Sequence, residues 1–257
     1  VLTPPSTHFL IVSNLLKNKK NVFLEKPLSL NPNDSQLLLE LAQKHQVQFS
    51  VGYVYRFHPI FRKLKRILSD ELKSEIISAK INMLGNVVSK ETPKTWRNTG
   101  VGSGCIYDYG CHVIDLSLYL FGRPSSTNCL EKKELFQEGV VDKFIAELVY
   151  DKEFKLQVNC DWANSTVRKA GIEIEICTKN EVIWTDGQLL QIQGAKKENL
   201  TIKDLNTDVS YYLRGEEFQN QLDEFVTQTN TKKLNFKGAE DASFCDKIIS
   251  QLHECKL

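Results

Sequence analysis

NVFLEKPLSLNPNDSQLLLELAQKHQVQFSVG, residues 21–52, is the stretch that decides the fold. Val22-Phe23-Leu24 is an apolar run of strand length, closed by Glu25-Lys26-Pro27. Asn31 then stands as an N-cap before Pro32, and Leu37, Leu38, Leu41 and Ala42 carry a helical pattern to about His45. Gln48 to Gly52 is strand-like again. Strand, helix and strand at this spacing make a parallel pair joined by a crossover helix. Upstream, Val1-Leu2 reads as the end of a further buried strand, and Thr3-Pro4-Pro5-Ser6-Thr7 as a proline-fixed loop in which Ser6 or Thr7 caps a helix. That helix carries Phe9, Leu10, Val12, Leu15 and Leu16 and runs out in Lys17 to Lys20. Residues 1–53 therefore read as the C-terminal half of a doubly wound α/β domain with a parallel sheet.

Ligands of such sheets bind beyond the carboxyl ends of the strands, and both Thr3-Pro4 and Glu25-Lys26-Pro27 fall there. Taken singly, Lys26 reads first as a surface lysine after an edge strand, and His8 as a polar residue in the first turn of a helix.

The 257 residues hold 33 Lys plus Arg against 32 Asp plus Glu, a net charge of +1, which excludes a broad field for nucleic acid or an anionic membrane. No apolar run approaches the ~20 residues of a membrane helix. The seven cysteines are odd in number, scattered and without a CxxC pair, which fits reduced thiols in a cytoplasmic protein better than a disulfide framework or a zinc knuckle. The chain begins at Val1 and not Met, in mid-motif, which leaves an upstream targeting segment open.

The chemistry concentrates in GVGSGCIYDYGCHVIDL, residues 100–116. A glycine-rich run opens a helix in which Asp108, His112 and Asp115 lie at i, i+4 and i+7, within roughly 60° of arc at about 100° per residue. Ile106, Val113 and Leu120 occupy the opposite face and would anchor it in a core. A carboxylate one turn from an imidazole can fix the ring's tautomer and raise its basicity, as a general base requires. On an amphipathic helix the same pair is more often simply solvated. Cys105, Asp108 and His112 share a face, but one helix rarely supplies a whole zinc shell and no second ligand cluster stands elsewhere, so no metal is expected.

After Arg56 the pattern changes. A helix from His58 to Ser69 carries a basic run, Arg62, Lys63, Lys65 and Arg66, read as a solvated face, and a strand follows from Glu75 to Leu84. Beyond the central helix, Phe154 to Trp162 alternates strictly and pairs with Lys143 to Tyr150 across Asp151-Lys152. Gly171 to Thr178 and Glu181 to Asp186 form a second hairpin, with strands at Gln188 to Gln193 and Asn199 to Leu205 and closing helices from about Gly215 and Gly238. Residues 54–257 thus read as an α+β domain built on a large, mostly antiparallel open sheet of six or seven strands.

TPPSTH, the strand ending in EKP, the segment Gly52-Tyr53-Val54-Tyr55-Arg56-Phe57-His58-Pro59, the Trp96-Arg97 pair and Asp108-Tyr109-Gly110-Cys111-His112 followed by Asp115 together resemble the Gfo/Idh/MocA family. The resemblance covers essentially the whole chain, and EKP after a strand with DxGxH some eighty residues on is far more specific than either motif alone. It implies a Rossmann domain and a substrate domain, with NAD or NADP as cofactor and a small-molecule sugar or polyol as substrate. It also implies oligomerisation, as a homodimer or tetramer, through the outer face of the C-terminal sheet, which is polar here. In that light His112 is the general base, Asp108 orients substrate or ring, and Lys26 hydrogen-bonds the reacting oxygen. Thr3, Pro4, His8, Glu25, Lys26 and Pro27 shape the nicotinamide side, while Arg97 and Asp115 contact substrate hydroxyls. Tyr53 and Arg56 are weaker candidates, equally readable as structural.

The family's GxGxxG loop is absent from these residues, since Gly100, Gly102 and Gly104 follow a polar run and have Cys105 where the last glycine belongs. Residues 1–257 alone are accordingly expected to be inactive. Two other activities remain open on the same scaffold: glycoside cleavage by transient oxidation with a tightly held NAD, and a non-catalytic dinucleotide or sugar sensor.

Overall fold

A computed structural model describes residues 1–68, 70–73, 75–150, 154–194, 197–205 and 216–255. After a 3-10 turn at Pro5–Thr7, α1 (His8–Lys17), β1 (Val22–Leu24), α2 (Pro32–His45) and β2 (Phe49–Val51) follow the expected order. β1 and β2 pair in parallel, Val22 opposite Phe49 and Leu24 opposite Val51. Val1 lies along the other side of β1: its amino group donates to the Phe23 carbonyl at 2.7 Å and its carbonyl accepts from the Glu25 N–H at 3.0 Å. Asn31 caps α2 as expected, its Oδ1 accepting the Asn33 N–H at 2.9 Å. The expected hydroxyl cap of α1 is not made. Thr7 Oγ1 donates instead to the Pro4 carbonyl at 2.8 Å and lies 2.7 Å from the Thr3 hydroxyl, from which it can accept, closing the proline loop on itself.

A 3-10 turn (Val54–Phe57) leads into α3 (Pro59–Ile67), the single turn α4 (Asp70–Lys73) and β3 (Ile76–Leu84). A long loop then enters a π-helical turn (Ile106–Gly110) continuous with α5 (Cys111–Phe121). Next come β4 (Ser126–Lys133), β5 (Lys143–Val149), β6 (Lys155–Asp161), β7 (Gly171–Thr178), β8 (Val182–Thr185), β9 (Leu189–Gln193) and β10 (Lys197–Thr201), then α6 (Glu216–Thr231) and α7 (Lys237–Glu254). With β3 the strands form one eight-stranded sheet in the order β10-β9-β8-β7-β3-β6-β5-β4, antiparallel except for β3 beside β6. β5 and β6 pair from Lys143 opposite Asp161 to Val149 opposite Lys155; the expected Asp151-Lys152 turn between them lies outside the described residues. The strand expected at Asn199 to Leu205 ends early, because Ile202–Leu205 turns into a 3-10 helix whose Asp204 Oδ2 accepts the Thr201 N–H at 2.7 Å. β4 carries no apolar alternation: it is an edge strand with no fully buried residue.

The inner face of the sheet, with Phe144, Ala146, Leu148, Leu156 and Val158 buried, packs under α5 and α7. α5 is not amphipathic as expected; it is buried on almost every side, and only His112 and Tyr119 keep partial exposure. The basic run of α3 is not simply solvated either. Arg62 stacks over Phe57 and lies 3.5 Å from Glu224, and Lys65 donates to the Leu120 carbonyl at 3.1 Å, so these chains cover apolar surface while their heads find partners. α7 returns to the first elements of the chain and packs on α2 and β2. Asp246 Oδ2 accepts the Ser29 N–H at 2.8 Å and the Ser35 hydroxyl at 2.6 Å.

Candidate active site

Two glycines let the central helix form where it does. Gly104 has φ +99° and a Cβ there would lie 3.0 Å from the Val141 carbonyl oxygen, while a Cβ on Gly110 would lie 2.9 Å from the Phe144 ring. The helix can therefore lie directly on the sheet. Its first turn, Ile106–Gly110, is π-helical, and a π turn takes up one residue more than an α turn, so spacing along it departs from the regular 100° step. The single acid–imidazole–acid face read from the sequence does not form. Asp108, His112 and Asp115 go to three different environments.

Asp108 turns to Lys26, 82 positions away in sequence: Lys26 Nζ donates to its Oδ1 at 2.7 Å and to its backbone carbonyl at 3.0 Å. Arg97 Nη1 stands 3.7 Å from the other carboxylate oxygen. Lys26, Pro27, Trp96, Arg97, Tyr107 and Asp108 line one small recess. Burial pushes the Asp108 carboxyl up, but the Lys26 ammonium, its hydrogen bond and Arg97 outweigh it, and the pKa is lowered. For Lys26, burial works downward and is outweighed by Cys111, Asp108 and Glu25, so the ammonium is held protonated. Cys111 itself is pushed up to about 12, chiefly by burial, and is a neutral thiol at pH 7; Asp108 is the lasting counter-charge.

His112 sits between two tyrosines, its ring centroid 5.1 Å from that of Tyr55 and 6.4 Å from that of Tyr53, both edge-on. Its Nδ1 is buried without a hydrogen-bond partner. Burial, and after it the Lys26 charge, pull the imidazole pKa well below its usual value, against the opposing pull of Asp108. The expected rise in basicity from a bonded carboxylate is thus overturned, because Asp108 is bonded to Lys26. What stands at position 112 is a neutral imidazole, able to accept a proton.

Asp115 is not at the recess. It is 1% exposed and is held by Arg56, Nε to both carboxylate oxygens at 3.0 and 2.8 Å and Nη2 to Oδ1 at 2.8 Å. Burial raises its pKa to about 6 even against the Arg56 charge. Arg56 also reaches Asp241 Oδ2 at 3.2 Å from both Nη atoms. This buried network joins α5, α7 and the 54–57 turn, and it removes Asp115 from the substrate contacts expected of it. Tyr53 is buried with its hydroxyl 3.6 Å from Cys245 Sγ, a core position.

His8 stands in the first turn of α1, as read from the sequence, and is fully buried. Its Nδ1 lies 2.9 Å from the Pro27 carbonyl and its Nε2 2.9 Å from the Thr3 carbonyl, so the ring clips the two strand-end loops together. Thr3 and Pro4 are exposed, Pro27 is buried behind a cis peptide bond, and Glu25 Oε2 accepts the Lys26 N–H at 3.1 Å. Among the described residues no cluster of three or more His, Cys, Asp or Glu could hold a metal, and no helix is long and apolar enough to cross a membrane.

Reading the sequence missed Tyr55, whose ring is nearest to His112. It also missed a second cavity, of about 420 Å³, which Tyr55, His58 and Glu217 help to line. Tyr55 and His58 lie inside the quoted 52–59 segment, which was signal enough; Glu217 is brought in from α6 and left none.

Comparison with known proteins agrees with this geometry. Residues 1–53 match the oxidoreductase family with NAD-binding Rossmann fold, and residues 61–184 match the GFO/IDH/MocA C-terminal domain. Oxidoreductase P35 of Formosa agariphila is 32% identical over 147 residues, 54% of this chain and 46% of that protein. The scyllo-inositol 2-dehydrogenase (NADP(+)) IolW of Bacillus subtilis is 28% identical over 59% of this chain and 42% of its own length. The chain spans about half the length of the curated relatives it matches. A crystal structure of an inositol dehydrogenase homolog from Azotobacter vinelandii, complexed with NADH and myo-inositol, has the same fold, with a TM-score of 0.84 at 17% identity over 98% of this chain and 73% of that one. By both of its matched regions, the chain belongs to the Gfo/Idh/MocA family of NAD-binding oxidoreductases.

Proposed function

We propose that this chain carries the reacting-centre side of a dehydrogenase that oxidises a secondary hydroxyl of a sugar or polyol, or reduces the corresponding ketone. The Lys26–Asp108 pair beside the neutral His112 is the observation that carries this reading. The residues present fit a nicotinamide. The Thr3-Pro4 loop and the Glu25-Lys26-Pro27 corner lie at strand carboxyl ends next to a protonated lysine and a buried imidazole nitrogen with no partner. Bound there, NAD or NADP supplies the hydride acceptor or donor. An ammonium has three N–H donors, of which Lys26 commits two to Asp108, leaving the third to hold the reacting oxygen and stabilise charge that grows on it. His112 takes the hydroxyl proton, and the Asp108 carboxylate keeps Lys26 charged and aimed. Arg97 approaches the same carboxylate from the exposed loop, where it can meet a substrate hydroxyl.

Residues 1–53 form the cofactor side and 54–257 the substrate and assembly side, with α7 packed across both. The polar outer face of the eight-stranded sheet is the surface for a homo-oligomer, checked by light scattering. The seven cysteines, odd in number and scattered without a CxxC pair, favour a reducing, cytoplasmic setting. His112→Ala in the full-length protein should lower kcat roughly 10²- to 10⁴-fold and leave cofactor affinity nearly unchanged. Wild-type turnover in that variant would remove His112 as the base.

A further inference from the structure

Beside Tyr55, the second cavity lies between the 54–57 turn, the loop entering β7, the β8–β9 turn and the first turn of α6. Its volume of about 420 Å³ is in the range of small-molecule sites, and the Tyr55 ring that helps to line it packs on His112. His58 presents a buried Nδ1 without a partner at this cavity. Its lining carries three carboxylates, Glu173, Asp186 and Glu217, against one ammonium, Lys169. Two of the carboxylates are fixed in place: Glu173 Oε1 accepts the Trp184 indole N–H at 2.6 Å, and Asp186 Oδ1 accepts the Gln188 and Leu189 N–H groups at 2.8 and 2.9 Å. Glu217 lines the cavity together with Tyr55 and His58, and its charge acts on both. Burial lowers the His58 pKa against that pull, so no second cation offsets the acids.

We propose that this cavity receives the part of the substrate remote from the reacting carbon, and that it selects uncharged or amine-bearing polyhydroxyl compounds over phosphorylated or carboxylated ones. Carboxylates accept hydrogen bonds from hydroxyl and ammonium groups and repel an anion, and the three here outnumber the one ammonium, Lys169, that could offset them. Tyr55 and Phe61 supply an apolar wall for a ring's C–H face. This inference rests on reading Lys26, Asp108 and His112 as the redox site.

The test uses the full-length protein with NAD and with NADP, and matched pairs of compounds: myo-inositol and its 1-phosphate, glucose and glucose 6-phosphate, glucose and glucosamine. The expected kcat/KM favours the uncharged or amine-bearing member over the phosphorylated one by about tenfold or more, and Glu217→Gln narrows that preference roughly threefold. Equal or better use of the phosphorylated members, or a preference untouched by Glu217→Gln with kcat on the neutral member intact, overturns the inference. Saturation-transfer NMR on the same pairs reads the cavity independently of chemistry. If no pair is turned over but the neutral members bind selectively and Glu217→Gln weakens the selectivity, the redox reading falls and the cavity assignment stands. If binding shows no discrimination against phosphate, the cavity assignment falls whatever the turnover.

Discussion

Lys26 grips Asp108 twice, once through the carboxylate at 2.7 Å and once through the main-chain carbonyl at 3.0 Å, so one ammonium fixes both the side chain and the backbone of the helix's first turn. Lys26→Met should therefore do more than remove a charge. We expect kcat to fall by about 10²- to 10³-fold, because the donor to the developing oxyanion is gone. The Asp108 carboxyl, with burial then opposed by Arg97 and His112 but no longer by Lys26, should titrate at a higher pH than in the wild type. NMR titration of the carboxyl carbon checks the second point; an unmoved Asp108 would show that Lys26 does not govern it.

Asp115 and Arg56 make the opposite case, a site-like pair with a structural task. Arg56→Met leaves Asp115 and Asp241 buried without their shared cation and should cost about 3–5 kcal/mol of stability. Asp115→Asn should lower Tm while leaving KM for substrate within about twofold, since the group faces Arg56 and not the recess. A large rise in KM in a well-folded Asp115→Asn protein would return Asp115 to the substrate contacts.

Asp246 is buried between α2 and α7 and its pKa is raised to about 7, chiefly by burial. Its folded value lies above the unfolded one near 3.9, so the folded state binds the extra proton between these values. Stability from this group is present at low pH and is lost as pH rises through about 7. Relative to the wild type, Asp246→Asn should gain stability as pH rises from about 4 to 7, with a slope of at most about 1.4 kcal/mol per unit, and should be flat above. Urea unfolding of both proteins across that range gives the difference directly; parallel curves would mean that Asp246 ionises freely in the fold.

Residues 1–257 contain no glycine loop of the type that holds a dinucleotide pyrophosphate. Expressed on their own they should bind NAD or NADP no more tightly than about millimolar, since the backbone N–H groups of such a loop are what chiefly hold the pyrophosphate. Micromolar affinity by calorimetry would show that the cofactor is held by these residues in some other way.

The parallel pair, the Asn31 cap and the antiparallel sheet were legible because each rests on local periodicity or on one capping side chain. So was the pairing of Lys26 with the DxGxH run, which came from the joint occurrence of two motifs. The place of Asp108 relative to His112 and Asp115 was not, because a face drawn at 100° per residue assumes an α-helix throughout, and Ile106–Gly110 is a π turn; nor was the pairing of Asp115 with Arg56, 59 positions away. Nor was the depressed basicity of His112, which depends on where Lys26 stands in space. β4 and Glu217 gave no signal, one being a polar edge and the other a surface-like acid on a helix packed from far along the chain.

The contact of Asp246 with Ser29 and Ser35 spans more than two hundred positions, linking the loop just after Lys26 to a helix that ends at Glu254. During synthesis, then, the loop that follows Lys26 emerges long before the element that buttresses it. Until α7 has left the ribosome, the apolar faces of α2 and β2 remain uncovered. Pairings of such high sequence separation form late and leave nascent chains open to association. A premature stop that removes only the last helix should therefore yield aggregated protein in pulse-labelled lysates, with most of the reacting-centre residues already made.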